Sequence, residues 1–364
     1  MSDPGAALAK AVLAKNLKVK KGESVVIEAW THMLPYIRPF VQEARRLGAH
    51  PTVIFEEEGA WWDAVKAKQF DGFKRLSPVE RSAVSAADVF LYFWGPGDRP
   101  RVWKLPESTQ NRVTGYNDEW YKVAHKAGLR GCRMSIGQAS DPAARFYGLD
   151  GPGWRARLLK AGAEDVGAMR KKGERIVKAL DAGSELRIRH ANGTDLTLKL
   201  NGLHSRIELG VVSREALKRP FGMLTNNPSG QVMVALDASE ATGNFVSNRA
   251  VYLGEQRYTG VRWTFDGGML TAHSLKEGRE AFEVPFAKAG KGKDQLGYLS
   301  IGLNPSARDL PPCEDAEEGS VLVGIGSNVF VGGKIRIPFQ SYALVGEPQV
   351  EIDGMTVAER GRVR

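Results

Sequence analysis

Apolar positions in the first half of the chain switch between short β-branched runs and stretches with helical spacing. Residues 25–29 form a compact apolar run, residues 34–47 repeat apolar side chains at helical intervals and stop at Gly48, and residues 51–55 form a second run. This order predicts a strand–helix–strand unit. Helical spacing over 61–68 and 78–87, an apolar run at 89–94, a turn at Gly95-Pro96-Gly97, helical spacing over 117–127 and a strand at 132–136 continue the alternation. Parallel neighbours need crossover connections long enough to hold a helix, so a mostly parallel sheet covered by helices is expected.

The pattern changes after a long helical stretch at 154–180 that ends at Gly183. Period-two runs at 186–190, 194–200, 232–236, 261–265, 269–273, 321–325 and 334–337 predict strands, with one helix near 276–288. Asn192-Gly193 and Asp266-Gly267 are hairpin-turn pairs. The expected fold is α/β, with an N-terminal mostly parallel α/β domain over 1–185 and a C-terminal antiparallel-rich α+β domain over 186–364.

Composition narrows the class. With 42% apolar residues in 364, the chain can bury a sizeable core. Its longest strongly apolar stretch, 89–94, is far shorter than the roughly 18 residues a membrane helix needs. The N-terminus has neither the basic start nor the apolar run of a secretion signal, and the two cysteines, Cys132 and Cys313, have no metal or disulfide spacing, so a reducing cytoplasm is expected. A net charge of +9 raises the question of nucleic acid, but the basic residues between Arg155 and Lys178 are interleaved with Glu164, Asp165 and Glu174. That reads as a solvated helix face, so neither nucleic acid nor a membrane is expected as a partner.

Spacing alone names no reaction. The glycines at 95–97 and 151–153 lack the order that cradles a pyrophosphate. The six histidines form no H-x-H or H-x-x-x-H pair, leaving His204 and His273 as isolated candidates. Cys313 sits among Glu314, Asp315, Glu317 and Glu318, which disfavour a thiolate.

Longer motifs carry more. The opening at 16–27, then Gly193-Thr194-Asp195-Leu196, Asn227-Pro228-Ser229-Gly230-Gln231-Val232, Ile301-Gly302-Leu303-Asn304-Pro305, Gly324-Ile325-Gly326-Ser327-Asn328, Gly332-Gly333 and Val350-Glu351-Ile352-Asp353-Gly354 follow one another in a family's order. On these motifs the chain resembles the aminopeptidase T (leucyl aminopeptidase) family of metallopeptidases. A related branch, the iron-dependent 2,5-dihydroxypyridine dioxygenases, shares the signature near Gly302. The resemblance implies a homodimer with its site in the C-terminal domain, and a two-metal centre that activates water.

At the positions where the resemblance implies metal ligands, this chain has Gln231, Tyr298, Leu322 and the pair Gln340 and Tyr342; an acidic residue survives as Glu317 or Glu318. Neutral amides and phenols hold divalent cations poorly. No metal or other cofactor is therefore expected at the family's site, which leaves open a divalent metal on a different ligand set. The expected activity is that of a hydrolase acting on a small amide-like or (hetero)aromatic substrate, in aromatic-compound catabolism, with Tyr298 or Tyr342 as proton donor and a nearby carboxylate such as Glu318 as base. Gln231, Ser229, Asn304, Gln340 and His273 would bind the substrate. A leucyl aminopeptidase with shifted ligands and a non-catalytic small-molecule binder are the alternatives.

Overall fold

The computed structural model describes residues 4–200, 205–218, 222–236, 240–253 and 256–364; His204 lies outside them. The chain divides into two compact units, 1–164 with 210–228 and 165–209 with 229–364. The change from helix to strand at Gly183 falls inside the second unit.

In the first unit the apolar runs become β1 (Ser24–Trp30), β2 (His50–Glu56), β3 (Val89–Phe93) and β4 (Arg130–Met134). All are parallel, in the order β2-β1-β3-β4, and Leu224–Asn227 adds a fifth parallel strand beside β4. The order reverses between β1 and β3, so the sheet has a topological switch point there. β3 is covered on both faces and reads as an unbroken apolar run for that reason. The helix Pro78–Ala86 starts with a capping box in which Ser77 and Glu80 satisfy each other's backbone N–H groups. It packs with Asn117–Ala127 over one face of the sheet, burying Phe90, Val84 and Trp120.

Among the described residues the second unit holds a two-stranded sheet, Val251–Leu253 with Gln256–Tyr258, and two large antiparallel sheets. The larger has eight strands, built around Glu185–His190 and Thr194–Lys199, and its hairpin turns place Gly193 and Gly267 at positive φ as their turn chemistry requires. The smaller runs in the order Gln340–Val345, Val321–Gly326, Leu296–Gly302, Gln231–Ala235, Ser205–Glu208. Its central strand, Leu296–Gly302, and the neighbouring Val321–Gly326 are buried along their whole length.

Several elements differ from the sequence expectation. The stretch 154–180 is two helices, Gly151–Gly162 and Val166–Ala182, because the Asp165 carboxylate accepts the Gly167 N–H and caps a new start. Residues 334–337 form no strand; the edge strand is Gln340–Val345. Leu224–Asn227 lies late in the chain yet completes the first sheet, which local periodicity cannot show.

The loop before Val321–Gly326 is held by a buried ion pair. Arg249 Nε and Nη2 donate to Glu317 at 3.0 and 2.7 Å, and the Asp309 N–H donates to the same carboxylate at 3.0 Å. Glu317 is 4% exposed and Arg249 14%. Removing one partner leaves a buried charge unpaired, so Glu317→Gln is expected to cost about 3 to 5 kcal/mol in urea denaturation, against about 1 kcal/mol if the pair were solvated.

Candidate functional site

The ladder of the five-stranded sheet decides which side chains share a face. Gly324 is paired with Tyr298 on one side and with Tyr342 on the other, and Tyr298 in turn with Ala235. Two residues along, Leu344, Leu322, Ser300 and Met233 form the next row, and Gln231 stands one row further, opposite Gly302. Side chains two residues apart in a strand point the same way, so Gln231, Tyr298, Leu322 and Tyr342 share one face. Gln340 has the same parity but lies at the exposed end of its strand.

A bulge aims Tyr298. The register slips at Gly297, whose carbonyl accepts the Asn328 side-chain N–H at 2.9 Å, and the turned strand presents the next side chain differently. The Tyr298 ring then lies against Gly324, where a Cβ would come within 2.1 Å of it, and meets Phe330 edge-on with centroids 4.9 Å apart. Met233, Leu322, Val331 and Leu344 complete the cluster. Among the described residues none hydrogen-bonds to the Tyr298 hydroxyl. The Tyr342 hydroxyl donates to the Tyr252 carbonyl at 3.3 Å, and Tyr258 is bonded to Ser341 at 2.7 Å.

Two carboxyl groups act on these phenols from the single turn Glu314–Ala316. Burial holds the Glu314 carboxyl well above the usual carboxylate range, and its Oε1 has no partner among the described residues. Burial also pushes Asp315 up to about 6, opposed by a hydrogen bond from Gln231 and by backbone N–H groups. The Ser300 hydroxyl donates to Gln231 Oε1 at 2.9 Å, which leaves the Gln231 amide nitrogen to face Met233 Sδ at 3.5 Å and the Asp315 carboxylate. Tyr298 and Tyr342 are held well above the ordinary tyrosine value, by burial first and by neighbouring carboxylates and phenols after it.

Other expected site residues are used differently. Glu318 pairs with Lys172 at 2.7 Å and accepts the Val363 N–H at 3.2 Å, while Glu317 is taken by Arg249. Ser229 donates to the Glu208 carbonyl at 3.2 Å. Asn304 donates to the Ser229 carbonyl and accepts the Ser306 N–H, both at 3.0 Å. Together with Gly302, whose Cβ would collide with the Glu317 carbonyl, it folds the loop that carries Glu314 and Asp315. His273 stands in the larger sheet between Phe282 and Phe286, 3.9 Å from Glu283. Sequence reasoning noted Glu314 and Asp315 only as neighbours unfavourable to a Cys313 thiolate, although an acidic pair beside a proline-marked turn was the available signal.

No family model matches the chain, and no curated protein matches it. Among solved structures, wild-type AmpT from Thermus thermophilus superposes with a TM-score of 0.70 over 99% of this chain and 98% of its own, at 19% identity. The chain has the aminopeptidase T fold. A second solved structure, 2,5-dihydroxypyridine dioxygenase from Pseudomonas putida, matches with a TM-score of 0.61 at 16% identity, covering 100% of this chain and 98% of that one. The resemblance drawn from the motifs therefore holds at the level of fold for both.

On this aminopeptidase T fold the residues do not fit a pair of metal ions. Gln231 is engaged by Ser300 and Asp315, Leu322 has no donor atom, and the two phenols are kept protonated by burial. Among the described residues no group of three or more His, Cys, Asp and Glu side chains converges as a ligand set.

The packing at Gly324 gives a direct check of the site's geometry. Gly324→Ala is expected to lower stability by about 1 to 3 kcal/mol, since the neighbouring ring must shift. In a Tyr298→Leu background the penalty should shrink markedly, measured as a double-mutant cycle in urea; an additive result would show that the two side chains do not meet.

Proposed function

We propose that the chain is a hydrolase-type enzyme acting on a small amide-like or (hetero)aromatic substrate at this sheet face, without a metal pair. One observation carries the reading. The unpartnered hydroxyl of Tyr298 shares a face with Gln231 and Tyr342, beside adjacent carboxyl groups whose proton affinities burial has driven upward to different extents. Titratable pairs pushed apart in this way divide into an acid and a base.

Burial raises Asp315 to about 6 and holds Glu314 well above the usual carboxylate range, so in this reading Asp315 is the ionised member of the pair at neutral pH and Glu314 the proton carrier. In this reading Asp315 takes a proton from water as the oxygen adds to the substrate carbonyl, and Glu314 returns one to the departing nitrogen. Tyr298 remains a neutral donor and hydrogen-bonds to the oxyanion as charge develops there. Tyr342 and Gln231 orient the substrate and Asp315 respectively. Glu318, first expected as the base, holds Lys172 and the backbone at Val363 instead. The buried cysteines Cys132 and Cys313, neither in a disulfide, accord with a reducing cytoplasm, and a homodimer belongs to the same reading.

A non-catalytic binder is the second reading, favoured by the close apolar packing of Tyr298 against Leu322 and Val331. A turnover screen of small amides and N-heteroaromatic compounds on the full chain separates the two. With a substrate in hand, Tyr298→Phe is expected to lower kcat on the order of a hundredfold with stability almost unchanged. A wild-type kcat in that variant would remove Tyr298 from the chemistry.

Asp315 supplies a pH test. Its carboxylate is lost as pH falls through its folded value of about 6, so activity should decline below that pH. Asp315→Asn should depress activity and abolish this acidic limb, and an unchanged pH profile in the variant would assign the base elsewhere.

A further inference from the structure

The first unit contains a cavity of about 150 Å³ at the carboxyl ends of β1 and β2, the end of a parallel sheet where ligands bind. Glu28 and Trp30 reach it from β1, and Ile54 and Glu56 from β2. Glu80 enters from the first turn of Pro78–Ala86. Trp61, Phe73, Tyr116 and Trp120 supply further aromatic wall.

Glu28 and Glu56 are half-buried at the cavity and lack the partners that carboxyl groups withdrawn from water ordinarily have. One Glu80 oxygen accepts the Ser77 N–H at 2.8 Å, but among the described residues nothing hydrogen-bonds or ion-pairs to the carboxyl groups of Glu28 or Glu56. Arg75, a cation at the lining, is exposed and pairs with none of the three. Trp30 is 4% exposed and its indole N–H, on a ring that lines the cavity, has no acceptor among the described residues. An uncompensated buried carboxylate is costly, and burial together with the charges of Glu56 and Glu80 pushes Glu28 up to about 8.

A ligand that answers the unpaired carboxyl groups and the aromatic wall together carries positive charge and has apolar faces to lie against the rings. We infer that this cavity binds a small organic ammonium ion, held by Glu28 and Glu56 and faced by the rings of Trp30 and Trp61. Ammonium groups are attracted to the faces of indole rings, and carboxylates reinforce that attraction where water is excluded. The volume suits a ligand about the size of benzene, which excludes a peptide or nucleotide. This site lies in a different compact unit from the Tyr298 face and does not depend on the reaction proposed there.

The test uses the full chain with choline, tetramethylammonium and benzylammonium as probes, read by tryptophan fluorescence and calorimetry. The neutral comparison is 3,3-dimethylbutan-1-ol, which keeps choline's shape without its charge. Saturable binding of at least one cation is expected, with choline favoured over its neutral counterpart on the order of tenfold or more. Glu28→Gln and Glu56→Gln should each weaken cation binding on the order of tenfold while leaving the melting temperature near or above that of the parent. No saturable signal from any cation, or equal affinity for choline and the neutral alcohol, would overturn the assignment. That comparison is made on the unaltered chain and so stands even if a variant fails to fold.

Discussion

The candidate site rests on a missing side chain. Gly324 stands between Tyr298 and Tyr342 in the ladder, and only hydrogen at that position lets the Tyr298 ring lie across the neighbouring strand Val321–Gly326. The bulge at Gly297 then sets the angle of the phenol, and Gly302 lets the Glu317 backbone close over the strand end, bringing the Glu314–Ala316 turn to the same region. Because side chains alternate along a strand, a one-residue slip of Leu296–Gly302 would carry Tyr298 and Ser300 to the face opposite Gln231. The glycines of the motifs thus set the geometry, and the loop they fold supplies the carboxyl groups.

Desolvation is the second theme, and it recurs in both units. Glu28 in the first and Glu314 and Asp315 in the second are carboxyl groups drawn out of water without full compensation by cations. Contrast Glu317, whose Arg249 fork and Asp309 N–H satisfy both of its oxygens. A compensated carboxylate is a structural clamp. Uncompensated ones retain a proton to unusually high pH and are available to exchange it or to receive a cation, which is why perturbed acids gather at functional sites.

Much of the fold was legible in the sequence because its signals are local. The apolar runs that became β1 to β4 and the Asn192-Gly193 turn depend only on neighbouring residues. Gln231, Tyr298, Leu322 and Tyr342 were found by motif order, and the ladder gathers them on one face. What stayed hidden is long-range. Leu224–Asn227 joins a sheet formed far earlier in the chain, and the Asp165 cap that splits a helical stretch competes with an otherwise unbroken pattern. Glu318 and Glu314 look alike in an acidic run; only the Lys172 contact on one and the buried, unpartnered oxygen of the other tell a salt bridge from a candidate acid.

The most direct test of the proposal that this site works through phenols and carboxyl groups rather than metal is turnover before and after stripping with a strong chelator, with residual metal measured in the same samples. Equal rates in metal-free and untreated protein are the expected result. Loss of activity on stripping, with recovery on returning zinc, manganese, cobalt or iron, would contradict it and assign the chemistry to a metal held by a different set of ligands.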